Sequence, residues 1–220
     1  MNKDKVMRHR QLRRRFLKAS TLSMASMPAV IGALSPSLAV ASGKSASGRV
    51  PLIRKKEASA LQGAVAALDP MMSRRLHLVN EHTGDDFDIV YYTHGIFINE
   101  NLSLLNSLMR DRRANEATQM DTTLYDQLFL LREKLGSDEP LHILSGYRTA
   151  ATNAKLRRRS KGVAKYSLHM EGRAADIYIP GYSAKIIQEA ALSMKAGGVG
   201  IYSRSNFVHI DTGTVRQWGS

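Results

Sequence analysis

What most limits the folds open to this 220-residue chain is a break near residue 41, because only the stretch beyond it has the make-up of a globular domain. Met1 to Lys18 hold eight lysines and arginines (Lys3, Lys5, Arg8, Arg10, Arg13, Arg14, Arg15 and Lys18) against one acid, Asp4. An apolar run from Ala19 to Leu34 follows, and Ala39-Val40-Ala41 offers a small-residue cleavage site. This is the layout of a secretory signal peptide. Within it, Arg13-Arg14-Arg15-Phe16-Leu17-Lys18 matches the twin-arginine pattern, an address read by the twin-arginine export machinery rather than an anchor. The apolar run is broken by Ser20, Thr21, Ser23, Ser26, Pro28 and Gly32, whereas a bilayer asks for about 20 predominantly apolar residues. No stable membrane span is therefore expected after processing. Two other readings of the segment are an uncleaved anchor and a basic helix that binds lipid or nucleic acid.

Setting residues 1–41 aside changes the meaning of the charge. Their eight basic residues less one acid account for +7 of the formal +13, leaving +6 on the remaining 179 residues. About half of the basic excess thus belongs to the address, and a nucleic-acid partner is not expected. The remaining charge is dispersed except at Lys155-Leu156-Arg157-Arg158-Arg159-Ser160-Lys161, which reads as a solvated helix end and loop, or else as a patch drawn to an anionic polymer. The length suits one domain with a real core. There is no cysteine, so disulfides and thiolate ligands are excluded and any metal site must use His, Asp or Glu.

Ser42 to Arg49 is small and polar, and residues 42–71 are expected to form a mobile linker ahead of a domain over 72–220. Arg75–Asn80 and Phe87–Tyr92, around His82-Thr83-Gly84-Asp85-Asp86, predict a β-hairpin. From Asn99 the apolar spacing turns helical, with Leu102, Leu105, Leu108 and Met109 on one face as far as Arg113. Asp121 is a good N-cap for a second helix carrying Leu124, Leu128, Leu131 and Leu135, closed by Gly136. A short strand at Leu141–Leu144 leads to Thr149, which can cap a helix from Ala150 to about Arg158. Strands at 174–179, 200–202 and 207–211 and a helix over 183–196, closed by Gly197-Gly198, complete the reading. The expected architecture is a single α+β domain, a small antiparallel or mixed sheet flanked by helices, with no internal repeat.

His169-Met170-Glu171-Gly172-Arg173-Ala174-Ala175-Asp176 and Phe207-Val208-His209-Ile210-Asp211 carry the candidate chemistry. His209 and Asp211 are two apart in a strand and leave the same face, together with Phe207. His169 and Asp176 are seven apart and would leave opposite faces of a straight strand, so Gly172 must permit a bend between them. Two histidines and a carboxylate suit zinc with an open fourth position, as in hydrolytic sites. The same mixed set also admits manganese or iron, and on spacing alone each residue has an ordinary structural reading.

Ser145-Gly146-Tyr147-Arg148, Asn153, the Ser167 to Asp176 stretch, Gly197-Gly198-Val199-Gly200-Ile201-Tyr202 and Phe207 to Gly213 occur in that order. Together they resemble the zinc-dependent D-Ala-D-Ala carboxypeptidase and murein endopeptidase superfamily, most closely the murein endopeptidase K subgroup. The resemblance runs from about Asn99 to Trp218. It implies zinc ligands at His169, Asp176 and His209, a small antiparallel sheet with flanking helices, and hydrolysis of the peptide stems of peptidoglycan. It also implies that Arg148 faces the scissile carbonyl, where a fixed guanidinium stabilises an oxyanion. Ser167 is expected to orient His169 or its loop through a hydrogen bond. Relatives in this superfamily commonly place a Glu or His two or three positions before the last histidine ligand, and Phe207 and Asn206 stand there in this chain. Asp211 is the expected substitute, either as general base or as the carboxylate that fixes the His209 tautomer, with Glu171 next. His77, His82, His94 and His142 are read as structural. Tyr147, Tyr166, Tyr202 and Trp218 are candidates for lining a substrate groove.

These readings make the chain an exported zinc murein endopeptidase of the periplasm or cell envelope that acts in cell-wall remodelling. A D-alanyl-D-alanine carboxypeptidase and a non-catalytic peptidoglycan-binding module that retains the zinc site are the alternatives. Both cross-link types, D-alanyl to diaminopimelate and diaminopimelyl to diaminopimelate, stay open.

Overall fold

The computed structural model of the chain describes residues 69–160 and 162–219, so the expected address at 1–41, most of the expected linker and Lys161 lie outside the described residues. Among these, β1 (Arg74–Asn80) and β2 (Asp86–Thr93) form the predicted antiparallel hairpin. Asn80 shapes its turn, its Oδ1 accepting from the His82 and Thr83 amides at 2.9 and 3.2 Å. Gly84 takes a φ of +74° that a side chain rarely adopts. A two-residue β3 (Ile96–Phe97), not foreseen in the sequence, adds an edge.

Helix α1 (Asn99–Leu108) stops five residues short of the expected Arg113. The reason is Asp111, whose buried side chain turns away from the helical path. Its carboxylate accepts from the Arg113 amide and from both the amide and the hydroxyl of Thr149, each at 2.9 Å. Local side-chain to backbone bonds of this kind compete with helix continuation. α2 (Thr122–Leu135) matches its prediction at both ends, with Asp121 accepting from the Thr123 amide at 2.9 Å and Gly136 at φ +58°.

β4 (Leu141–Ser145), α3 (Ala150–Arg159), β5 (Ala174–Tyr178), α4 (Ala184–Met194), β6 (Gly198–Tyr202), β7 (Phe207–Asp211) and β8 (Arg216–Gly219) follow. α4 ends early because Lys195 itself adopts the left-handed conformation, at φ 51°. Gly197 and Gly198 therefore do not close the helix as expected, and Gly198 opens β6 instead. The sheet runs β3-β2-β1-β4-β5-β7-β6-β8, with β1–β4 and β6–β8 parallel and the other neighbours antiparallel. The arrangement is α+β, with four α-helices and a mixed sheet among the described residues. No helix of the described residues is long and apolar enough to cross a membrane.

Strand alternation divides the labour between the two faces of this sheet. Ala175 and Ile177 of β5, Val199 and Ile201 of β6, and Val208 and Ile210 of β7 join the buried core with Leu105, Leu124, Leu128 and Ile187 of the helices. Each fully buried aliphatic side chain contributes about 1.5–3 kcal/mol. The intervening positions, Asp176, Gly200, Phe207, His209 and Asp211, necessarily face the other way. The chemistry-bearing residues thus share the face that the helical core leaves free.

Candidate metal centre

Asp176 and His209 are partners in register on the paired central strands β5 and β7. His169 reaches them from a 3-10 turn (Leu168–Glu171) whose exit is bent by Gly172 at φ +68°, the bend that the spacing required. His169 Nε2, Asp176 Oδ1 and His209 Nδ1 form a triangle with edges of 3.2, 2.9 and 3.1 Å. A tetrahedral ion with bonds of about 2.0–2.2 Å holds its donors roughly 3.3–3.6 Å apart, so the three atoms need only spread slightly to surround one. His, Asp and His are also the donor types that remain in a cysteine-free chain.

Both rings are held from behind. The His169 Nδ1–H donates to the Gly146 carbonyl at 2.7 Å, which leaves Nε2 for the centre. Gly146 can bring that carbonyl in because a Cβ there would lie 2.5 Å from the Met109 oxygen. His209 Nε2–H donates to Asp211 Oδ2 at 3.0 Å, leaving Nδ1 for the centre. Asp211 is wholly buried and saturated. It also accepts from the Gly198 and Gly213 amides at 3.1 and 2.8 Å and from both terminal nitrogens of Arg216 at 3.1 and 2.7 Å. Gly197 and Gly198 make room for it, since a Cβ on Gly197 would lie 1.8 Å from the Asp211 oxygen. Their presence is a packing requirement of β7, and that is the use the helix-end reading missed.

The electrostatics follow from these contacts. Burial pushes Asp211 up, but the bonds from His209, Gly213 and Arg216 outweigh it and bring the carboxyl down to about 2. Asp176 is likewise pushed up by burial, yet His169, His209 and Arg148 hold it well below the usual carboxylate range. Burial pushes His169 below its ordinary value despite Asp176. His209 is also pushed down by burial, but it touches two carboxylates, Asp176 and Asp211, and these raise it overall. Neutral imidazole is the form that binds a metal.

A cavity of about 380 Å³ opens over the triangle. Arg148 stands on its wall, Nε donating to Ser145 Oγ at 2.7 Å and Nη2 paired with Asp176 Oδ2. Tyr202 stacks on Phe207 with ring centres 4.4 Å apart, and Trp218 packs beside His209 at 5.1 Å. Trp218 sits over Gly200, where any Cβ would meet its indole at 2.4 Å. Tyr166, Tyr202 and Trp218 thus line the cavity as expected, whereas Tyr147 packs against the core. Ser167 lines the cavity but caps the 3-10 turn without a side-chain hydrogen bond. Glu171 is not among the lining residues and pairs with Arg173 at 3.2 Å. His77 and His142 pair with Asp86 and Glu81, outside the donor triangle. Arg216 was not read from the sequence, although it stands only five residues past Asp211, because nothing in the spacing shows that the turn between β7 and β8 folds its guanidinium back onto that carboxylate.

The comparisons agree with this geometry. A family model described as peptidoglycan L,D-endopeptidase MepK matches residues 69–218. The chain is 48% identical over 155 residues to the peptidoglycan L,D-endopeptidase MepK of Escherichia coli K12, covering 70% of this chain and 85% of that relative. The same figures hold for the protein so named from Shigella flexneri. A Haemophilus influenzae protein named as a probable peptidoglycan L,D-endopeptidase MepK is 43% identical over 118 residues, 53% of this chain and 63% of that relative. With the motifs from Ser145 to Trp218 inside the matched region, the chain belongs to the peptidoglycan L,D-endopeptidase MepK family of peptidases.

Proposed function

We propose that the processed chain is an exported, zinc-dependent peptidoglycan endopeptidase that hydrolyses peptide cross-links in the periplasm. The observation that carries this reading is the buried triangle of His169 Nε2, Asp176 Oδ1 and His209 Nδ1 beneath an open cavity. Of the two cross-link types, the L,D designation of the relatives favours the bond between two diaminopimelate residues. Zinc bound by the three donors supplies a Lewis acid and lowers the pKa of a water to about 7.

The rest of the mechanism is the work of the chain. The Gly146 carbonyl and Asp211 fix the two imidazole tautomers so that His169 Nε2 and His209 Nδ1 present lone pairs to one point. The five donors on Asp211 support the orienting role and leave it no oxygen with which to take a proton. Arg148, tethered by Ser145, holds its guanidinium beside the donor set and stabilises the oxyanion that develops on the scissile carbonyl. The aromatic wall of Tyr202, Phe207 and Trp218 excludes water from one side and seats the aliphatic part of the stem. Residues 1–41 carry the export reading, through the twin-arginine pattern and the small-residue cleavage site.

Digestion of intact sacculi by the purified processed protein is the test. Cross-linked muropeptides should disappear in favour of monomers, the activity should cease with a chelator, and zinc should restore it. Release of free D-alanine with the cross-linked dimers intact would overturn the endopeptidase reading in favour of a carboxypeptidase. Sedimentation with sacculi without new products would mark a binding module. Full activity of His169→Ala would remove the metal from the mechanism.

A further inference from the structure

The metal cavity has a basic neighbour that the mechanism does not use. Arg148 lines the cavity and also a small hollow of about 20 Å³, which it shares with His82, Arg110, Arg112 and Arg113. Two of these arginines are satisfied, Arg110 by Asp85 at 2.5 Å and Arg148 by Asp176. Arg112 and Arg113 are exposed and have no ion pair among the described residues. The adjacent acid, Asp111, is buried and takes its hydrogen bonds from Thr149 and from the Arg113 backbone amide.

More positive charge gathers at the same place. The Arg113 guanidinium lies below its ordinary pKa, pushed there by burial and then by the charges of Arg112, Arg148 and Arg159. His82 is pushed down by burial and by Arg112 and Arg113. Arg157, Arg158 and Arg159 have a use within the fold, since they occupy the last turn of α3 and complement its dipole. Arg112 and Arg113 have no such use. They sit in the irregular segment between α1 and α2, outside the last turn of either helix, and buried Asp111 offsets only part of their mutual repulsion, so an anion from outside would find them favourable partners.

We propose that Arg112 and Arg113 form an anion-binding shoulder of the metal cavity that receives a free carboxylate of a peptidoglycan stem peptide next to the bond being cut. The proposal rests on the peptidoglycan reading given above. Stem peptides carry free carboxylates beyond the cross-link itself, and the planar guanidinium fork pairs with carboxylate through two parallel hydrogen bonds. Arg148, common to both hollows, places this shoulder immediately beside the reacting centre. The shoulder accordingly acts on substrate capture, so its removal raises KM and leaves kcat in place.

Co-sedimentation of the zinc-loaded processed protein with sacculi tests this without requiring hydrolysis, so an inactive protein does not spoil the measurement. Arg112→Glu/Arg113→Glu should weaken binding about tenfold, while Arg112→Lys/Arg113→Lys, which keeps the charge but loses the fork, should fall between that variant and wild type. Wild-type protein should bind sacculi whose carboxylates have been converted to amides about as weakly as the charge-reversed variant binds untreated ones. Unchanged zinc affinity and far-UV dichroism of the variants establish that they fold. Wild-type binding by the charge-reversed variant, or equal wild-type binding to amidated and untreated sacculi, would overturn the proposal. Loss of binding by the variant in a protein that cuts no cross-link would keep the shoulder and discard the endopeptidase.

Discussion

Asp211 shows how much a single side chain can be asked to do. It is fully buried, accepts from His209, Gly198, Gly213 and Arg216, and settles which nitrogen of His209 faces the metal centre. Asp211→Asn should therefore lower zinc affinity by roughly 10–100-fold, read by competition with a chromogenic chelator. Wild-type affinity in that variant would show that the orientation of His209 comes from elsewhere. Arg148 acts differently, because it engages Asp176 through Nη2 and Ser145 through Nε and keeps Nη1 without a protein partner among the described residues, on the cavity wall. Arg148→Ala should reduce kcat by about 10²–10³-fold on a soluble cross-linked muropeptide, with zinc affinity much less affected. The motif residues were legible in sequence because their spacing survives in the fold. The saturation of Asp211 was not, since its partners come from β6, β8 and the turn after β7.

At the scale of elements, buried polar contacts fix how helices meet the sheet. Asp126 of α2 accepts from Arg74 Nη1 of β1 at 2.7 Å and from the Tyr91 hydroxyl of β2 at 2.8 Å, with both charged side chains almost inaccessible. Removing one partner of such a pair leaves an uncompensated buried charge, which costs about 3–5 kcal/mol. Asp126→Ala should lower Tm by about 6–20 °C in a thermal scan, at the 2–4 °C per kcal/mol expected for a domain of this size. A second polar anchor, Asp111, joins the end of α1 to the start of α3. Burial pushes this carboxyl up, but hydrogen bonds from Thr152, Thr149 and the Arg113 amide hold it below its ordinary value of 3.8. A depressed carboxyl stabilises the fold above the unfolded pKa, and that contribution is lost as pH falls below about 3.8. The acid limb of a stability–pH curve should accordingly be shallower in Asp111→Asn than in wild type. An identical slope would remove Asp111 as its cause. The hydrophobic spacing revealed α1 but could not reveal its early end, because periodicity carries no record of a side chain that caps a distant helix.

For the molecule as a whole, the proposed zinc would be held by donors from a 3-10 turn and two strands, so it would clamp the fold as well as supply the chemistry. Zinc at about 100 times its Kd should raise stability by about 2.7 kcal/mol, seen as an upward shift of Tm that chelator reverses. The shift should vanish in His169→Ala, and its persistence there would place the zinc elsewhere. The division between what could and could not be read from the chain follows the range of the interactions involved. The sequence alone determined the α+β class, the hairpin around Gly84, the caps at Asp121, Gly136 and Thr149, and the bend at Gly172, because each depends on residues a few positions apart. It also presented His209 and Asp211 on one face, since strand alternation is a local rule. Only the tertiary structure decided that Arg216 braces Asp211, that Gly197, Gly198 and Gly200 serve close packing, and that Arg112 and Arg113 stand beside Arg148. Those facts depend on strand order and on which segments the hydrophobic core draws together, and neither is written in the spacing of neighbouring residues.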